Sequence, residues 1–134
     1  MLDFSLLKFD NLSPIYQQIV RYVKENIVLG TVADREELPS RRLLSGMLGI
    51  NPNTIQKAYR CMEEEGLIVS YAGSGSCLSF NSETAERMKQ ELLEYETKIY
   101  VERLKRMGIS LTETQSQIAV HWNREQQETG WQTE

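Results

Sequence analysis

Two short amphipathic helices separated by a three-residue turn constrain the fold of this chain more than any other feature. The first is predicted in "LPSRRLLSGMLG", where Ser40 is a favoured N-cap residue and Gly49 ends the helix. The second is predicted in "NPNTIQKAYRCMEEEG", where Asn51 caps the helix and Pro52 suits its first position. The two helices therefore meet across the Gly-Ile-Asn turn.

A longer helix is predicted before this pair, in "LSPIYQQIVRYVKENIVLG". Ser13 is its expected N-cap, Pro14 its first residue and Gly30 its stop. All three helices carry apolar residues at three- and four-residue spacing, which predicts one buried face on each. These faces are Tyr16, Ile19, Val20, Val23 and Ile27; Leu43, Leu44, Met47 and Leu48; and Ile55, Ala58, Tyr59 and Met62.

After Gly66 the hydrophobic period changes from helical to extended. The segments "LIVSY", "AGSG" and "SCLSF" predict a β-hairpin with a glycine-containing turn. Three helices followed by a hairpin is the order of a winged helix-turn-helix. In that unit the second short helix enters the DNA major groove.

From Asn81 onward the composition favours long helices. One is predicted in "SETAERMKQELLEYETKIYVERLKRMG", which Gly108 ends, and a capping box of Ser110 and Glu113 opens another. We therefore expect a mainly α fold with a small β-hairpin: a winged helix-turn-helix DNA-binding domain over residues 1–80 and a two-helix dimerisation segment over residues 81–134. The residues expected at the dimer interface are Met88, Leu92, Tyr95, Ile99, Ile118 and Trp122.

Charge is distributed unevenly along the chain, whose formal net charge is -4. Residues 1–80 hold 8 Lys or Arg against 9 Asp or Glu, and residues 81–134 hold 7 against 10. No acid lies between Glu37 and Glu63, and that segment carries the four cations Arg41, Arg42, Lys57 and Arg60. The basic charge is thus concentrated on the helix-turn-helix, where phosphates would meet it.

The outward positions of the third helix suit contact with DNA. They are Asn53, Thr54, Gln56, Lys57 and Arg60. Gln56 is a candidate for an adenine edge and Lys57 for a guanine edge or a phosphate, while Arg41 and Arg42 would lie beside the DNA backbone. The alternative is that Lys57 and Arg60 belong to an ordinary solvated helix face and that Ser40, Asn51 and Thr54 act only as caps.

Several classes of protein lack support in the sequence. Cys61, Cys77 and His121 are not spaced as metal ligands, so no metal or cofactor is expected. A catalytic function would need a nucleophile and base or a phosphate loop, and the sequence has no such motif, so we expect no enzyme. No apolar run suits a signal peptide or a membrane span, which predicts a cytoplasmic protein without membrane contact.

The motifs "PIYQQI", "LPSRRLL", "GINPNTIQKAYRCMEEEGLI" and "GSGS" resemble the GntR family of bacterial transcription regulators, and specifically its short YtrA-like branch. The resemblance covers most of residues 13–80. It implies a homodimer on a palindromic operator, with contacts from Arg42, Asn51, Asn53, Thr54, Gln56, Lys57 and Gly73. With the flanking candidates, the DNA-binding set is Ser40, Arg41, Arg42, Asn51, Asn53, Thr54, Gln56, Lys57, Arg60, Gly73, Ser74 and Gly75.

The chain departs from the family pattern in three places. Gln56 stands where an arginine is common, and the wing has Tyr71, Ala72 and Ser74 where relatives often carry basic residues. The loop "TVADREEL" lacks the usual Pro-Gly and brings acids beside the DNA-facing helix. The wing and loop departures predict weaker backbone affinity with a smaller salt dependence.

Two functional hypotheses follow. The first is a sequence-specific dimeric repressor of its own operon, which by resemblance often includes an ABC transporter. The second is a winged-helix protein-interaction module without specific DNA binding, which the uncharged wing and the acidic net charge favour. A small-molecule effector is compatible with the first hypothesis, since a ligand that favours one angle between the dimer helices would alter operator binding.

Overall fold

This computed structural model describes residues 1–73 and 75–129, with side chains through residue 124. The helices in that part of the chain are α1 (Ile15–Leu29), α2 (Arg41–Leu48), α3 (Pro52–Glu64), α4 (Ser82–Arg106) and α5 (Leu111–Thr129). The strands are β1 (Glu37–Leu38), β2 (Ile68–Ser70) and β3 (Ser76–Leu78). The predicted fold class, mainly helical with a small sheet and a winged helix-turn-helix order, is confirmed.

The chain divides into two compact units, Met1–Gln90 and Glu91–Glu134. The first unit contains α1 to α3, the sheet and the beginning of α4. Its core is built from the predicted faces of α1 and α3. The residues that these faces bury are Ile19, Val20, Val23 and Ile27, and Ile55, Ala58, Tyr59 and Met62.

The start of α1 differs from the prediction. Pro14 has extended backbone, with φ of -57° and ψ of 142°, so it precedes the helix rather than opening it, and no side chain caps the N-terminus. The Gln18 amide donates to the carbonyl oxygens of Asp10, at 3.0 Å, and Ser13, at 2.7 Å. The Gln18 side chain, inside the helix, thus provides hydrogen-bond donors for two carbonyl groups of the preceding loop. The predicted Ser13 cap is wrong.

The cap of α2 is as predicted, but its buried face is smaller. Ser40 Oγ accepts the Leu43 N–H at 3.1 Å, and Gly49 ends the helix in the left-handed conformation at φ 64°. Leu44 is the one residue of α2 that is fully buried. Leu43 and Met47 are 48% and 53% exposed, so the expectation that they belong to the core is wrong.

The sheet has one strand more than the predicted hairpin. Strands β2 and β3 pair antiparallel, and β1 pairs with the other edge of β3, which gives the order β1-β3-β2. Gly73 adopts φ 115° at the tip of the hairpin, and the Tyr71 N–H donates to the Gly75 carbonyl at 2.7 Å. This turn, between β2 and β3, is the wing.

The first residues of the chain complete the core. Leu2 and Phe4 are both buried, and the Leu2 N–H donates to the Glu37 carbonyl at 3.0 Å. The Phe4 and Tyr22 rings lie 5.4 Å apart, while the Tyr22 hydroxyl donates to the Asp3 carbonyl at 2.7 Å. Ring contact and hydrogen bond fix the N-terminal segment against α1.

Helix α4 begins with a reciprocal cap. The Thr84 N–H donates to Asn81 Oδ1 and the Asn81 N–H donates to Thr84 Oγ1, both at 2.9 Å. This orientation lets Ala85 and Met88 pack against the core of the first unit.

The predicted capping box at the start of α5 is present. The Glu113 N–H donates to Ser110 Oγ at 3.1 Å, and the Ser110 N–H donates to Glu113 Oε1 at 3.3 Å. None of the helices in the described part of the chain combines the length and apolar character that a membrane span requires.

Candidate DNA-binding surface

The buried face of α3 determines which of its side chains reach solvent. Because Ile55, Ala58, Tyr59 and Met62 are fixed in the core, residues at the intervening positions lie on the opposite side of the helix. Asn53, Lys57 and Arg60 are exposed there, and Thr54 and Gln56 are half-buried at its edges. The structure thus brings these five predicted residues together on one polar and basic helix face.

The N-terminus of α3 is suited to an anion. Asn51 Oδ1 accepts the Asn53 N–H at 2.8 Å, which confirms the predicted cap, and the first turn contains no acidic residue. The positive end of the helix dipole therefore has no carboxylate to neutralise it. The side-chain amide of Asn51 retains its NH2 donors, so capping and contact with DNA are compatible.

Lys57 is supported by a residue of α1. Its Nζ lies 4.2 Å from the centre of the Tyr16 ring, a cation–π contact worth about 0.5–1 kcal/mol at an exposed site. Tyr16 itself is half-buried against the core. The position of the Lys57 ammonium thus depends on α1, a relation that sequence reasoning missed because it links separate helices.

The two arginines at the start of α2 differ in their surroundings. Arg42 is exposed, as expected of a phosphate contact. Arg41 instead bonds the Glu63 carboxylate near the end of α3, and its guanidinium carbon lies 5.4 Å from the centre of the Tyr59 ring. The structure places Arg41, unlike Arg42, in contacts within the protein.

Tyr59 connects this region to the core. Its side chain is fully buried, and its hydroxyl donates to the Pro39 carbonyl just before α2. Burial raises the pKa of the Tyr59 phenol above its usual value, and the neighbouring Arg41 charge opposes this only in part. The phenol therefore stays a neutral donor that holds the start of α2 against α3.

A groove separates the start of α2 from the wing. It is lined by Ser40, Arg41, Arg42, Ser70, Tyr71, Gly73, Gly75 and Ser76. Five of the predicted DNA-binding residues therefore meet in one place, although they come from separate segments. Ser74, also predicted, lies outside the described residues.

The wing strands are tied together by side chains. The Ser70 and Ser76 hydroxyl oxygens lie 3.2 Å apart, and the Tyr71 hydroxyl lies 2.7 Å from Cys77 Sγ. The hydrogen bond with the thiol raises the pKa of Tyr71, and loss of hydration around the hydroxyl adds to the shift. The wing therefore presents neutral polar groups to the groove.

The predicted interface residues fall into two groups. Met88 is buried in the core of the first unit, so it stabilises that unit. In the second unit Leu92 and Ile99 are half-buried, while Tyr95, Ile118 and Trp122 are more than half exposed. Leu93, Tyr100 and Val120 add further exposed apolar surface to that unit, and the prediction had not included them.

Three helices on one core, a capped helix with a polar and basic outer face, and a following wing define a winged helix-turn-helix regulatory protein. Residues 15–78 match the family described as "Bacterial regulatory proteins, gntR family". The chain belongs to this GntR family, as its motifs predicted.

Solved structures support the assignment over most of the chain. A GntR family transcriptional regulator from Listeria monocytogenes shares 32% identity at a TM-score of 0.73, covering 83% of this chain and 97% of that one. YtrA from Sulfolobus acidocaldarius, a GntR-family transcription factor, shares 32% identity at a TM-score of 0.54, covering 71% and 99%.

A curated relative matches about half of this chain. The HTH-type transcriptional repressor YtrA of Bacillus subtilis is 40% identical over 72 residues, which are 54% of this chain and 55% of that protein. The match thus spans about half the length of that repressor. These relatives are transcriptional regulators rather than enzymes.

Proposed function

We propose that this protein is a dimeric repressor that binds a palindromic operator in double-stranded DNA upstream of its own operon. The observation that carries the proposal is the outer face of α3, where amide and cationic side chains stand on a helix whose inner face is fully buried. A helix held in this way presents its side chains to base edges at fixed positions.

The contacts divide by chemistry. Gln56 and Lys57 have the amide and ammonium groups that bond base edges, and they supply sequence discrimination. Arg42 and the N-terminus of α3 bind phosphates, which set the position on the duplex. In this proposal the sugar-phosphate backbone follows the groove beside the wing, which Arg42 and Gly73 line.

We assign dimerisation to the second unit. Exposed aromatic and aliphatic side chains such as Tyr95, Ile118 and Trp122 lose this exposure when two copies pair. A symmetric dimer would carry two copies of α3, which bind half-sites about one DNA turn apart. An operator with two-fold symmetry is the matching target.

The repressor role rests on similarity to the Bacillus subtilis protein, whose name states it. Control of its own operon, inclusion of an ABC transporter in that operon and a cytoplasmic location belong to the same proposal. A small-molecule effector fits as a further partner if it favours one dimer geometry over another.

One observation favours the alternative of a protein-interaction module. Leu43 and Met47 form an exposed apolar strip on α2, beside Arg42. An apolar strip of this kind suits a protein surface better than it suits a phosphate backbone. The DNA titration described next distinguishes the two functions.

The test is a fluorescence anisotropy titration against the DNA upstream of the gene, with nonspecific competitor at physiological salt. We expect saturable binding that Arg42→Ala removes. The matched control is Arg87→Ala, which deletes an exposed arginine from α4. Binding no tighter than to a scrambled duplex would reject the operator and favour the interaction module.

A further inference from the structure

Glu63, near the end of α3, connects three elements of the first unit. Its Oε1 accepts from Arg41 at the start of α2 and from the Ser70 hydroxyl of β2, the latter at 2.9 Å. Ser70 in turn contacts Ser76 on β3. Glu63 is the first acid after the acid-free segment that follows Glu37. The fold brings it into contact with Arg41, the first cation of that segment.

The bond to Glu63 occupies the cation that would otherwise attract DNA. Arg41 and Ser70 both line the groove between α2 and the wing, so the carboxylate reaches groups at both sides of that groove. The side chains of Arg41 and Glu63 are 37% and 36% exposed, so neither is sealed inside the protein. The pair thus lies where backbone phosphates are expected.

The bonding of Arg41 is incomplete. Its Nε is buried and has no acceptor within the described residues, although its Nη2 bonds Glu63. An unsatisfied buried donor raises the free energy of this arrangement. A freed guanidinium would instead bind a phosphate with charge-assisted hydrogen bonds.

We propose that Glu63 limits backbone affinity: it neutralises Arg41, so the protein engages one phosphate fewer than its cations allow. This inference rests on the proposed function, in which the groove faces DNA. Phosphate attraction is independent of sequence, so the pair weakens binding to operator and to nonspecific DNA alike. Recognition then depends more on the base contacts of α3.

The test compares the wild-type chain with Glu63→Gln, which removes the charge and keeps an acceptor for Ser70. Anisotropy titrations over a series of salt concentrations would use the upstream duplex and a scrambled duplex. The dependence of log K on log salt should steepen by about 0.9, and affinity at physiological salt should rise roughly five-fold for both duplexes. Circular dichroism would verify that the variant is folded.

The matched control is Glu64→Gln, which removes the same charge one residue along α3, from a side chain that faces solvent. Its salt dependence should equal that of the wild type. If Glu63→Gln and Glu64→Gln change binding equally, the effect comes from the net charge of the protein and not from Arg41, and the proposal is wrong. The proposal is also wrong if Glu63→Gln weakens binding or leaves the salt dependence unchanged.

A double variant, Arg41→Gln with Glu63→Gln, tests the pair itself. Because the pair contributes no net charge, the double variant should match the wild-type salt dependence even if Glu63→Gln alone folds poorly. If the dependence of log K on log salt is instead shallower than in the wild type by the amount expected for about one phosphate contact, Arg41 already binds phosphate in the wild type. That result would overturn the proposal.

Failure of the proposed function gives a different result. In that case the wild type shows no preference for the upstream duplex, while the change caused by Glu63→Gln is still measured on the scrambled one. Absence of binding to either duplex at low salt, by wild type and variant alike, would overturn both.

Discussion

The two compact units differ in what they bury. The first unit encloses a core to which the N-terminal segment, α1, α2, α3, the sheet and the start of α4 all contribute. In the second unit, none of the side chains described is fully buried, and Trp122 remains 59% exposed. The first unit therefore holds α3 on a buried core, although Leu43 and Met47 stay exposed, whereas the second unit leaves large apolar side chains at the surface.

The largest difference between the two units is expected in the free energy of unfolding, when one tyrosine in each unit is replaced by alanine. Tyr59→Ala deletes a fully buried side chain and its bond to Pro39, so it should lower the free energy of unfolding by about 3–5 kcal/mol. Tyr100→Ala, at an exposed position of the second unit, should change it by less than about 0.5 kcal/mol in dilute monomer. Urea denaturation followed by circular dichroism measures both, and equal losses would remove the distinction between the units.

Truncation separates the units directly. A chain ending at Gln90 keeps Met88 and the rest of the first core, so it should fold and sediment as a monomer. Its affinity for a full palindrome should fall by roughly 10²–10⁴-fold, since the second half-site no longer benefits from linkage. Its affinity for a single half-site should not change. A dimeric truncated chain would move the interface into the winged helix.

Lysine substitutions sharpen the comparison for DNA binding. Lys57→Ala should weaken operator binding by about 1–3 kcal/mol and lower the free energy of unfolding by no more than about 1 kcal/mol, because the side chain is exposed and its contact with the Tyr16 ring contributes little. Lys98→Ala, an equivalent change on an exposed face in the second unit, should leave operator binding close to wild type. Anisotropy titrations measure both variants. An unchanged affinity for Lys57→Ala would remove this residue from the site.

The smallest effects are expected from the two serine caps. Ser40→Ala removes the acceptor for the Leu43 N–H and should cost the first unit about 1 kcal/mol. Ser110→Ala removes the corresponding bond to the Glu113 N–H, and should fray α5 without moving the main unfolding transition. The urea denaturation midpoint reports the loss of stability in the first unit, and amide hydrogen exchange reports the fraying of α5. A shared loss of global stability would show that the units unfold together.

The helix boundaries of the first unit were largely predictable because local chemistry determines them. Ser40 and Asn51 cap, Gly49 and Gly66 adopt positive φ, and the faces of α1 and α3 follow a helical period. Once the buried face of α3 was identified from its apolar residues, the residues of its outer face could be predicted as well. The family resemblance came from the same motifs and was confirmed.

Features that depend on distant residues were not predictable. Strand β1 is only two residues long and exists because β3 pairs with it. Leu2 and Phe4 lie outside every element predicted from the sequence, so their burial was not anticipated. The bond between Arg41 and Glu63 joins residues on different helices, and side-chain charge alone favoured a DNA contact for Arg41.

The strand order also bears on how the chain folds during synthesis. The central strand, β3, is the last of the three to be made, and β1 and β2 pair only through it. Helices α1 to α3 are all complete before β3 is made, and α2 and α3 are neighbours in the chain, whereas pairing β1 with β3 closes the long loop between Glu37 and Cys77. On the ribosome the helices are therefore expected to associate first, with the apolar side chains of β1 and β2 lacking their strand partner until Leu78 has emerged.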